Sequence, residues 1–293
     1  MNNTETPRRA LVTGAGGFTG RYLVPQLEAD GWEVDTAESL DLTDPASIDR
    51  ALQSGQPTAV VHLGAISFAA YDDSERYYQT NTVGTLNLLK SISKLQLELS
   101  HFVFASTAAV YGNQGLPLLD EQLTPTPDSD YGVSKLAAEH LVRVHSTARS
   151  TIVLRPFNYT GVGQNKQFII PKLVSHYAER KPTIELGNTD VAREFNDVRW
   201  AAAVYVAALR FRGDHTTLNL ATGQTHSLDS VMQILQSITR HQPELVTNPA
   251  FVRANDLPSL AGDPRALNSQ FELPAQYDLT DTLRWMCDGY ASS

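Results

Sequence analysis

Positions 9–20 read RALVTGAGGFTG, and this segment is the most informative about the fold. Its first part, Arg9 to Thr13, predicts a short strand, and the stretch from Arg21 to Asp30 predicts a helix. Between them, glycines at 14, 17 and 20 allow a tight turn, a close approach of the backbone to a pyrophosphate, and close packing of the helix on the strand. The helix N-terminus adds free N–H groups and the positive end of the helix dipole. The segment therefore predicts a dinucleotide-binding loop.

The rest of the first half of the chain continues this alternation of strand and helix. Helix-like segments separate the further predicted strands, which run from Glu33 to Ala37, Ala59 to Leu63, Phe102 to Ser106 and Ile152 to Arg155. Strands joined through helices pair in parallel by right-handed crossovers, and the helices cover both faces of the sheet. The glycine spacing alone is not specific, but at the first strand-to-helix junction of such a chain it favours a cofactor site. We therefore predict an α/β fold with a Rossmann-type doubly wound parallel sheet.

After Asn158 the alternation loosens into a glycine-rich loop followed by shorter strands and helices. This change predicts a smaller, mixed C-terminal cap that binds the substrate. We place the NAD(P)-binding domain at residues 1–160 and the cap at residues 161–293. An apolar helix followed by the strand-like stretch from Thr217 to Ala221 predicts that residues 196–224 return to the main sheet.

Composition and charge exclude several classes of function. The net charge of −9 argues against a nucleic-acid or acidic-membrane surface, which needs clustered Lys and Arg, although a few converging arginines would still bind a small anion. The single cysteine, Cys287, excludes an internal disulfide, and the eight histidines lack paired metal spacing, so we predict no metal. The N-terminus lacks a signal-peptide core, and no apolar run reaches the roughly 20 residues of a bilayer span. We therefore expect a cytoplasmic protein.

Two acidic residues, Asp35 and Glu38, follow about 20 residues after the glycines, where a carboxylate accepts hydrogen bonds from the adenosine ribose. We choose Glu38, with a solvated loop acid as the alternative. No arginine follows Glu38 to neutralise a 2′-phosphate, which favours NAD over NADP. We expect Asp41 and Leu42 to hold the adenine edge and ring, whereas Asp44, which precedes a proline, is better explained as a helix N-cap.

A catalytic constellation is predicted where the fourth strand leads into Thr107. Tyr131 and Lys135 follow at the start of a strongly helical segment, and their spacing of four puts both side chains on one face. A neighbouring ammonium stabilises a phenolate, so we expect Lys135 to lower the pKa of Tyr131 toward a value useful for proton transfer. Thr107 would hydrogen-bond the substrate oxygen as its charge changes. A second pair with the same spacing, Tyr177 and Lys181, has no hydroxyl-bearing strand before it, and we interpret it as packing and solubility residues.

Together with the segment His62-Leu63-Gly64-Ala65 and with Asn81, these motifs resemble the extended short-chain dehydrogenase/reductase family, the NAD-dependent epimerase/dehydratase enzymes of nucleotide sugars, over nearly the whole chain. Gly64 stands where alanine is more typical. The resemblance implies NAD(H) or NADP(H) as the cofactor, lined by residues 63–65 and Asn81, with Phe157 near the nicotinamide. The cofactor-binding residues that we predict are Gly14, Gly16, Gly17, Phe18, Thr19, Gly20, Glu38, Asp41, Leu42, Leu63, Gly64, Ala65, Asn81, Tyr131, Lys135 and Phe157.

The same resemblance bears on the substrate. Family members that dehydrate the sugar carry an acid pair directly after the strand-four threonine, where this chain has Ala108 and Ala109, so dehydration is not expected. The segments at 155–164, 186–199 and 253–258 resemble GDP-4-keto-6-deoxy-D-mannose reductases, with Trp200 and Ala254 as departures. The substrate-binding residues that this implies are Thr107, Asn158 for the sugar or its phosphate, Arg193 and Arg253 for the diphosphate, and Asp256 for a ribose hydroxyl. For the two arginines, a salt bridge to Glu194 or Asp256 is the structural alternative.

The implied reaction is hydride transfer to the C4 keto group of a nucleotide-activated 6-deoxy-hexulose, most closely GDP-4-keto-6-deoxy-D-mannose. Tyr131 would donate a proton to the emerging alkoxide, and Lys135 would hold the nicotinamide ribose. The nearest alternative is a UDP-hexose type 4-epimerase with tightly bound NAD, which uses the same residues. A non-catalytic, cofactor-sensing regulator is the alternative from another class. Members of the resembled family commonly dimerise through helices that correspond to residues 81–95 and 132–145, so we expect a homodimer.

Overall fold

The computed structural model describes residues 8–67, 74–249 and 259–291. The strands are β1 (Arg9–Thr13), β2 (Glu33–Asp35), β3 (Ala59–His62), β4 (His101–Ala105), β5 (Leu118–Leu119), β6 (Ser150–Pro156), β7 (Tyr159–Thr160), β8 (Thr183–Leu186), β9 (Ala192–Arg193), β10 (Asn196–Asp197), β11 (His215–Leu220), β12 (His226–Ser227), β13 (Glu244–Thr247) and β14 (Ser259–Gly262). The helices are α1 (Gly20–Ala29), α2 (Pro45–Gly55), α3 (Ser74–Tyr77), α4 (Gly84–Lys94), α5 (Asp130–His145), α6 (Ile169–Ala178), α7 (Val198–Ala208), α8 (Leu228–Thr239), α9 (Arg265–Gln270) and α10 (Leu279–Ala291). A π-helical stretch (Tyr78–Val83) precedes α4, and a 3-10 helix (Ala108–Tyr111) follows β4.

Six strands form one sheet in the order β11-β6-β4-β3-β1-β2. All neighbours in this sheet are parallel, which confirms the predicted doubly wound α/β fold. The chain moves outward from β1 to β2 and then returns to place β3 on the other side of β1. In such sheets, ligands bind outside the carboxyl ends of the strands where the strand order reverses. That point lies between β1 and β3, where Thr13 is level with His62.

The second strand is shorter than predicted and ends at Asp35 instead of Ala37. The carboxylate of Asp35 accepts a hydrogen bond from the N–H of Ala37 (2.9 Å), and Ala37 adopts a left-handed φ of 43°. An aspartate side chain competes in this way with the sheet for nearby backbone N–H groups, so the extended conformation stops early. The other predicted strands of the main sheet lie within two residues of the observed bounds.

Helices cover both faces of the main sheet. On one face, α1 and α7 bury Leu23, Leu27 and Tyr205 against the strands. On the other face, α2, α4 and α5 contribute a second cluster that includes Leu52 and Leu88. Among the described residues, no helix is both long and apolar enough to cross a membrane.

Helix α2 begins as predicted. Asp44 is its N-cap and accepts hydrogen bonds from the N–H groups of Ala46 (2.9 Å) and Ser47 (3.1 Å), and Pro45 is the first helical residue. An N-cap carboxylate satisfies N–H groups that the first helical turn leaves without partners.

The part of the chain after β6 adds a smaller unit and one strand of the main sheet. Helices α6, α8 and α10 pack around an apolar cluster that includes Leu173, Val231 and Leu283. The short strands β12, β9, β14 and β5 form a small sheet, and β5 comes from the first half of the chain. Strand β11 pairs with β6 along its whole length, so this later segment lies at the edge of the main sheet.

Candidate active site

The loop between β1 and α1 needs its glycines. Gly14 has a φ of 72°, and a Cβ at this position would lie 2.9 Å from the backbone N and Cα of Gly64. At Gly20, a Cβ would overlap the backbone of Ala15. The N–H of Gly17 closes the turn by donating to the carbonyl of Gly14 (2.9 Å). A side chain at position 14 or 20 would therefore push the loop away from β3 or push α1 away from the loop.

The same loop offers space and donors for a phosphate group. A Cβ built at Gly16 meets no atom within 4 Å, so the surface beside this residue is open. The N–H groups of Phe18 and Thr19 donate no backbone hydrogen bond within the described part of the chain, and the first turn of α1 contains no acidic residue. Backbone donors at a positive helix end, beside a surface without side chains, fit a pyrophosphate. The residues present therefore fit a dinucleotide.

The two candidate acids for the ribose lie in different surroundings. Asp35 is level with Leu11, two residues before the end of β1, and a Cβ at Gly55 near the end of α2 would overlap its carboxylate. Its carboxylate thus faces the C-terminal end of α2. Glu38 lies beyond the end of β2 and is exposed. This placement supports the choice of Glu38, whose contact with a ribose stays a prediction.

Asp41 and Leu42 follow the same turn. The carboxylate of Asp41 accepts hydrogen bonds from the N–H (2.8 Å) and the hydroxyl (2.7 Å) of Thr43, so it stabilises a local turn. Leu42 is buried, and a Cβ at Gly64 would lie 3.0 Å from its Cδ1 atom. Because that contact is tight, the glycine at position 64 suits the packing of this chain better than an alanine would.

A chain of buried hydrogen bonds supports the end of β3. The N–H of Gly64 donates to Oγ1 of Thr13 (3.0 Å), which lies 2.6 Å from Nδ1 of His62. Nε2 of His62 lies 3.0 Å from Oγ1 of Thr85, whose hydroxyl donates to the carbonyl of Asn81 (2.6 Å). A hydroxyl has one proton, so Thr85 accepts from Nε2–H, and Nδ1 accepts from Thr13. Burial lowers the pKa of His62 to about 3, which keeps the ring neutral and the chain in this direction.

Asn81 holds two parts of the site together. It lies in the π-helical stretch, a conformation that often occurs at functional sites. Its Oδ1 accepts the N–H of Ile66 (2.8 Å), and its Nδ2 donates to the carbonyl of Ile66 (3.1 Å) and to Oγ of Ser134 (3.1 Å). Asn81 therefore joins the segment after β3, which includes the half-buried Leu63 and Ala65, to helix α5.

The three predicted catalytic residues meet at the carboxyl end of β4. Ser129 caps α5 by accepting the N–H of Gly132 (3.2 Å), and this helix start presents Tyr131 and Lys135. The side chain of Thr107 lies near the hydroxyl of Tyr131 and acts to lower its pKa. Nζ of Lys135 lies over the ring of the β4 residue Phe104, 4.2 Å from its centroid.

The second Tyr-x-x-x-Lys pair is not part of this group. Tyr177 is buried in the apolar cluster of α6, α8 and α10. Lys181 lies beyond the end of α6 and forms an ion pair with Glu179 (3.0 Å). Both residues have the structural roles that the sequence predicts.

The expectation that Lys135 lowers the pKa of Tyr131 is wrong for this structure. Burial raises the pKa of Tyr131 to about 12, and the nearby side chain of Thr107 opposes this only in part. Burial also lowers the pKa of Lys135 to about 7, against the attraction of Glu139. Desolvation outweighs the pairwise attraction because both groups lose water on entering the helix interface, and spacing along a helix does not report that loss.

Some of the predicted substrate-binding residues lie within the part of the chain that the structure describes. Asn158 is exposed, and its carbonyl accepts the N–H of Asn196 (3.0 Å). Phe157 is 4% exposed and packs against Tyr111, with ring centroids 6.4 Å apart. Arg193 lies in β9, and its Nη1 donates to the carbonyl of the preceding residue (2.8 Å). Arg253 and Asp256 lie outside the described residues.

Glu194 joins three segments of the chain. Its buried carboxylate accepts hydrogen bonds from Nδ2 of Asn196 (2.9 Å), the N–H of Thr222 (2.8 Å) and the N–H of Gly262 (2.6 Å). These neutral donors satisfy the carboxylate and tie β14 to the end of β11. Glu194 therefore stabilises the wall of the cap beside Asn158.

Sequence reasoning missed a second group of buried residues beside the catalytic ones. Glu139 binds Arg155 and Ser106, and His62 bridges two threonines. One feature of the sequence could have identified Glu139 as part of the site: it follows Lys135 by four residues and so lies on the same helix face. The partner of each residue lies on another element, so no local pattern identifies it.

The chain matches known proteins over most of its length. The model of the NAD dependent epimerase/dehydratase family matches residues 10–221. A GDP-6-deoxy-D-talose 4-dehydrogenase from Aggregatibacter actinomycetemcomitans is 38% identical, over 88% of this chain and 90% of that protein. A GDP-6-deoxy-D-mannose reductase from Pseudomonas aeruginosa is 30% identical, over 97% of this chain and 98% of that protein.

A solved structure gives the same result for the fold. The structure of RMD from Pseudomonas aeruginosa complexed with NADPH superposes with a TM-score of 0.89 at 29% identity, covering 97% of this chain and 99% of that one. The similarity therefore extends through both the main sheet and the cap.

Proposed function

The chain belongs to the NAD-dependent epimerase/dehydratase family, and from this premise we propose that it is a reductase of the C4 keto group of a GDP-linked 6-deoxy-hexulose. It is an enzyme that uses NAD(P)(H) on nucleotide sugars. GDP-4-keto-6-deoxy-D-mannose is the substrate that we propose, because the two relatives described above are named as oxidoreductases of GDP-6-deoxyhexoses. Ala108 and Ala109, which follow Thr107 in the 3-10 helix, leave that position without the acids of a dehydratase.

The observation that carries the proposal is the meeting of Thr107, Tyr131 and Lys135 at the carboxyl end of β4. A bound reduced nicotinamide supplies the hydride. Tyr131 donates its hydroxyl proton to the oxygen at C4, so that hydride on carbon and proton on oxygen together give the alcohol. Thr107 hydrogen-bonds the same oxygen, and Lys135 holds the nicotinamide ribose.

The raised pKa of Tyr131 is compatible with the role of proton donor. Because burial raises this pKa to about 12, the hydroxyl keeps its proton at neutral pH. Reduction needs a proton donor at this position, whereas oxidation of an alcohol needs a base. The phenolate that forms after donation regains its proton from solvent.

For the cofactor, the proposal favours NAD(H) over NADP(H). Glu38 is exposed after β2, where a carboxylate accepts from the ribose hydroxyls and repels a 2′-phosphate. Residues 36–44 contain no arginine that would neutralise such a phosphate. Replacing Glu38 with glutamine should narrow the difference between the KM values for NADH and NADPH.

For the nucleotide sugar, we propose that Arg193 and Arg253 bind the diphosphate, since a guanidinium matches phosphate geometry. Asn158 would bind the sugar or its phosphate, and Asp256 would accept from a ribose hydroxyl. Replacing Arg193 with glutamine should raise KM for the nucleotide sugar and leave KM for the cofactor unchanged.

The test follows the absorbance of NADH, and separately of NADPH, when the purified protein meets GDP-4-keto-6-deoxy-D-mannose. We expect one reduced nicotinamide to be oxidised for each sugar consumed, and we expect this oxidation to be faster with NADH.

The alternative function is a UDP-hexose 4-epimerase that retains NAD, which Glu38 also favours. No net oxidation, together with conversion of UDP-glucose to its 4-epimer, would replace the reductase with that epimerase.

We also propose that the protein forms a homodimer through α4 and α5. These helices pack side by side, and about two fifths of the surface is exposed at Val83, directly before α4, and at Val133 of α5. Light scattering should give twice the chain mass of 32.2 kDa, and V83E with V133E should reduce it to one chain. A wild-type protein that stays a monomer at all concentrations would contradict this.

A further inference from the structure

Glu139 lies on α5 one helical turn after Lys135. It is 8% exposed, and its carboxylate is bound from two other elements. Nε and Nη2 of Arg155 in β6 donate to its two oxygens (3.0 and 2.7 Å), which makes the pair bidentate. The hydroxyl of Ser106, directly before Thr107, donates to the same carboxylate. Glu139 therefore lies on the helix that carries Tyr131 and Lys135, and it contacts the residue directly before Thr107.

Arg155 is held as firmly as its partner. It is 6% exposed, and its guanidinium lies over the ring of Tyr111, 4.9 Å from the centroid. The hydroxyl of Tyr111 donates to Oδ1 of Asn219 (2.7 Å), which fixes the ring. A bidentate pair with both partners locked keeps its charges at fixed positions.

Few charged or titratable groups surround Lys135. On α5 it lies between Tyr131 and Glu139, four residues to either side. From β3 it faces the neutral His62, and from β4 the ring of Phe104. Burial lowers the pKa of Lys135 to about 7, and the attraction that opposes this shift comes from Glu139.

The surroundings of Glu139 include other titratable groups. Arg155 from β6, Tyr111 from the 3-10 helix and His215 from β11 all interact with its charge. Of these, Arg155 is the one with a permanent charge, and it pairs directly with the carboxylate of Glu139.

We propose that Glu139 is a positioning residue for Lys135, and that the buried Glu139–Arg155 pair sets the protonation state of that lysine. The inference rests on the proposed function for the importance of Lys135. The charge state itself is a property of the protein alone, and it is measurable without cofactor or substrate.

The proposal makes the two members of the pair act in opposite directions. In E139Q the attraction on the ammonium is lost and Arg155 repels it, so Lys135 should lose its proton at lower pH. In R155M the carboxylate of Glu139 acts without its partner, so Lys135 should lose its proton at higher pH. A purely structural role predicts that both changes loosen the site, admit water and raise the midpoint.

The experiment uses lysine labelled with ¹³C, because the chain has six lysines and the Cε shift reports the charge of each. The signal of Lys135 is assigned by its loss in K135M, and each protein is titrated by NMR. We expect the midpoint to fall by about one pH unit in E139Q and to rise in R155M. A rise in E139Q, or no change in either variant, would overturn the proposal.

Two further variants complete the test. The first keeps it decisive if a single change unfolds the protein, and the second is a control. The double variant E139Q with R155M removes both charges, and its Lys135 midpoint should lie below that of R155M. E194Q, another buried glutamate changed to glutamine, should leave the midpoint where it is in the wild type. A reductase assay then adds a separate result: the alkaline limb of kcat should move with the midpoint. Lack of turnover in the wild type would count against the reductase alone.

Discussion

The hydroxyl groups of Thr19 and Tyr159 lie 2.6 Å apart, although the two residues are separated by 140 positions. Thr19 precedes α1 at the end of the glycine loop, and Tyr159 begins β7, directly after Asn158. The ring of Phe18 stacks on that of Tyr159 with centroids 6.2 Å apart, and the hydroxyl of Tyr22 donates to the carbonyl of Val162 (2.7 Å). The predicted phosphate loop is therefore fixed to the predicted sugar-binding segment.

This contact leads to a first prediction about stability. T19V and Y159F should each lower the free energy of unfolding, and their effects should be coupled by about 1 kcal/mol, the usual contribution of a neutral hydrogen bond. Urea unfolding of the wild type, both single variants and the double variant measures the coupling. Strictly additive effects would mean that the two hydroxyls do not interact in solution.

The glycine loop gives a second prediction that separates binding from folding. G16A should leave the free energy of unfolding within about 0.5 kcal/mol of the wild type, because its Cβ meets no protein atom within 4 Å. Its methyl group should still weaken NADH binding by about ten- to a hundredfold, the effect of losing one charge-assisted hydrogen bond to phosphate. Fluorescence titration with NADH measures the change.

G14A is the matched comparison for that variant. Its Cβ meets the backbone of Gly64 at a φ of 72°, so it should lower the free energy of unfolding by about 1–3 kcal/mol. If G16A binds NADH as tightly as the wild type does, the phosphate does not occupy the open surface beside Gly16.

The third prediction concerns the proton donor. Y131F should lower kcat by about 10²- to 10⁴-fold, because it removes the hydroxyl that protonates the oxygen at C4, while NADH binding persists. Y177F is a matched control, since Tyr177 has the same Tyr-x-x-x-Lys spacing but is buried in the cap cluster. Steady-state kinetics on both variants make the comparison. Full activity in Y131F would remove Tyr131 from the mechanism.

The fourth prediction follows from the lowered pKa of Lys135. In the folded protein this pKa is about 7, below the ordinary value of 10.5. Between these values the unfolded chain holds a proton that the folded chain has released, so the free energy of unfolding rises with pH on account of this group. Below pH 7 the folded protein must instead bury the ammonium, which destabilises it.

K135M lacks this titration and serves as the reference. We expect the stability of the wild type relative to K135M to be lowest near pH 6 and to increase toward pH 10. Urea unfolding of both proteins at the two pH values measures this difference. Parallel pH dependence in the two proteins would show that Lys135 is charged and solvated at all these pH values.

The architecture and the main catalytic candidates follow from the amino-acid sequence alone. Alternating strands and helices dictate a parallel sheet, and the glycines at 14, 17 and 20 mark its first crossover. The N-cap at Asp44 and the shared helix face of Tyr131 and Lys135 also follow from local rules. The glycine turn, the N-cap and the shared helix face are predictable because each depends on residues a few positions apart.

The spacing of residues does not predict where an element ends if a side chain competes for its backbone hydrogen bonds. The second strand stops at Asp35 because its carboxylate captures a nearby N–H, and strand propensity alone does not include that bond. The π-helical turn that presents Asn81 to Ile66 likewise depends on bonds to a segment from another strand.

The electrostatics of the site depend on tertiary packing. The spacing of Tyr131 and Lys135 predicted a lowered tyrosine pKa, but the folded chain raises that pKa and lowers the pKa of the lysine. It also pairs Glu139 with Arg155, sixteen positions later on β6. Burial and long-range pairing depend on which elements pack together and how much water they exclude, and a periodic pattern along one helix contains neither quantity.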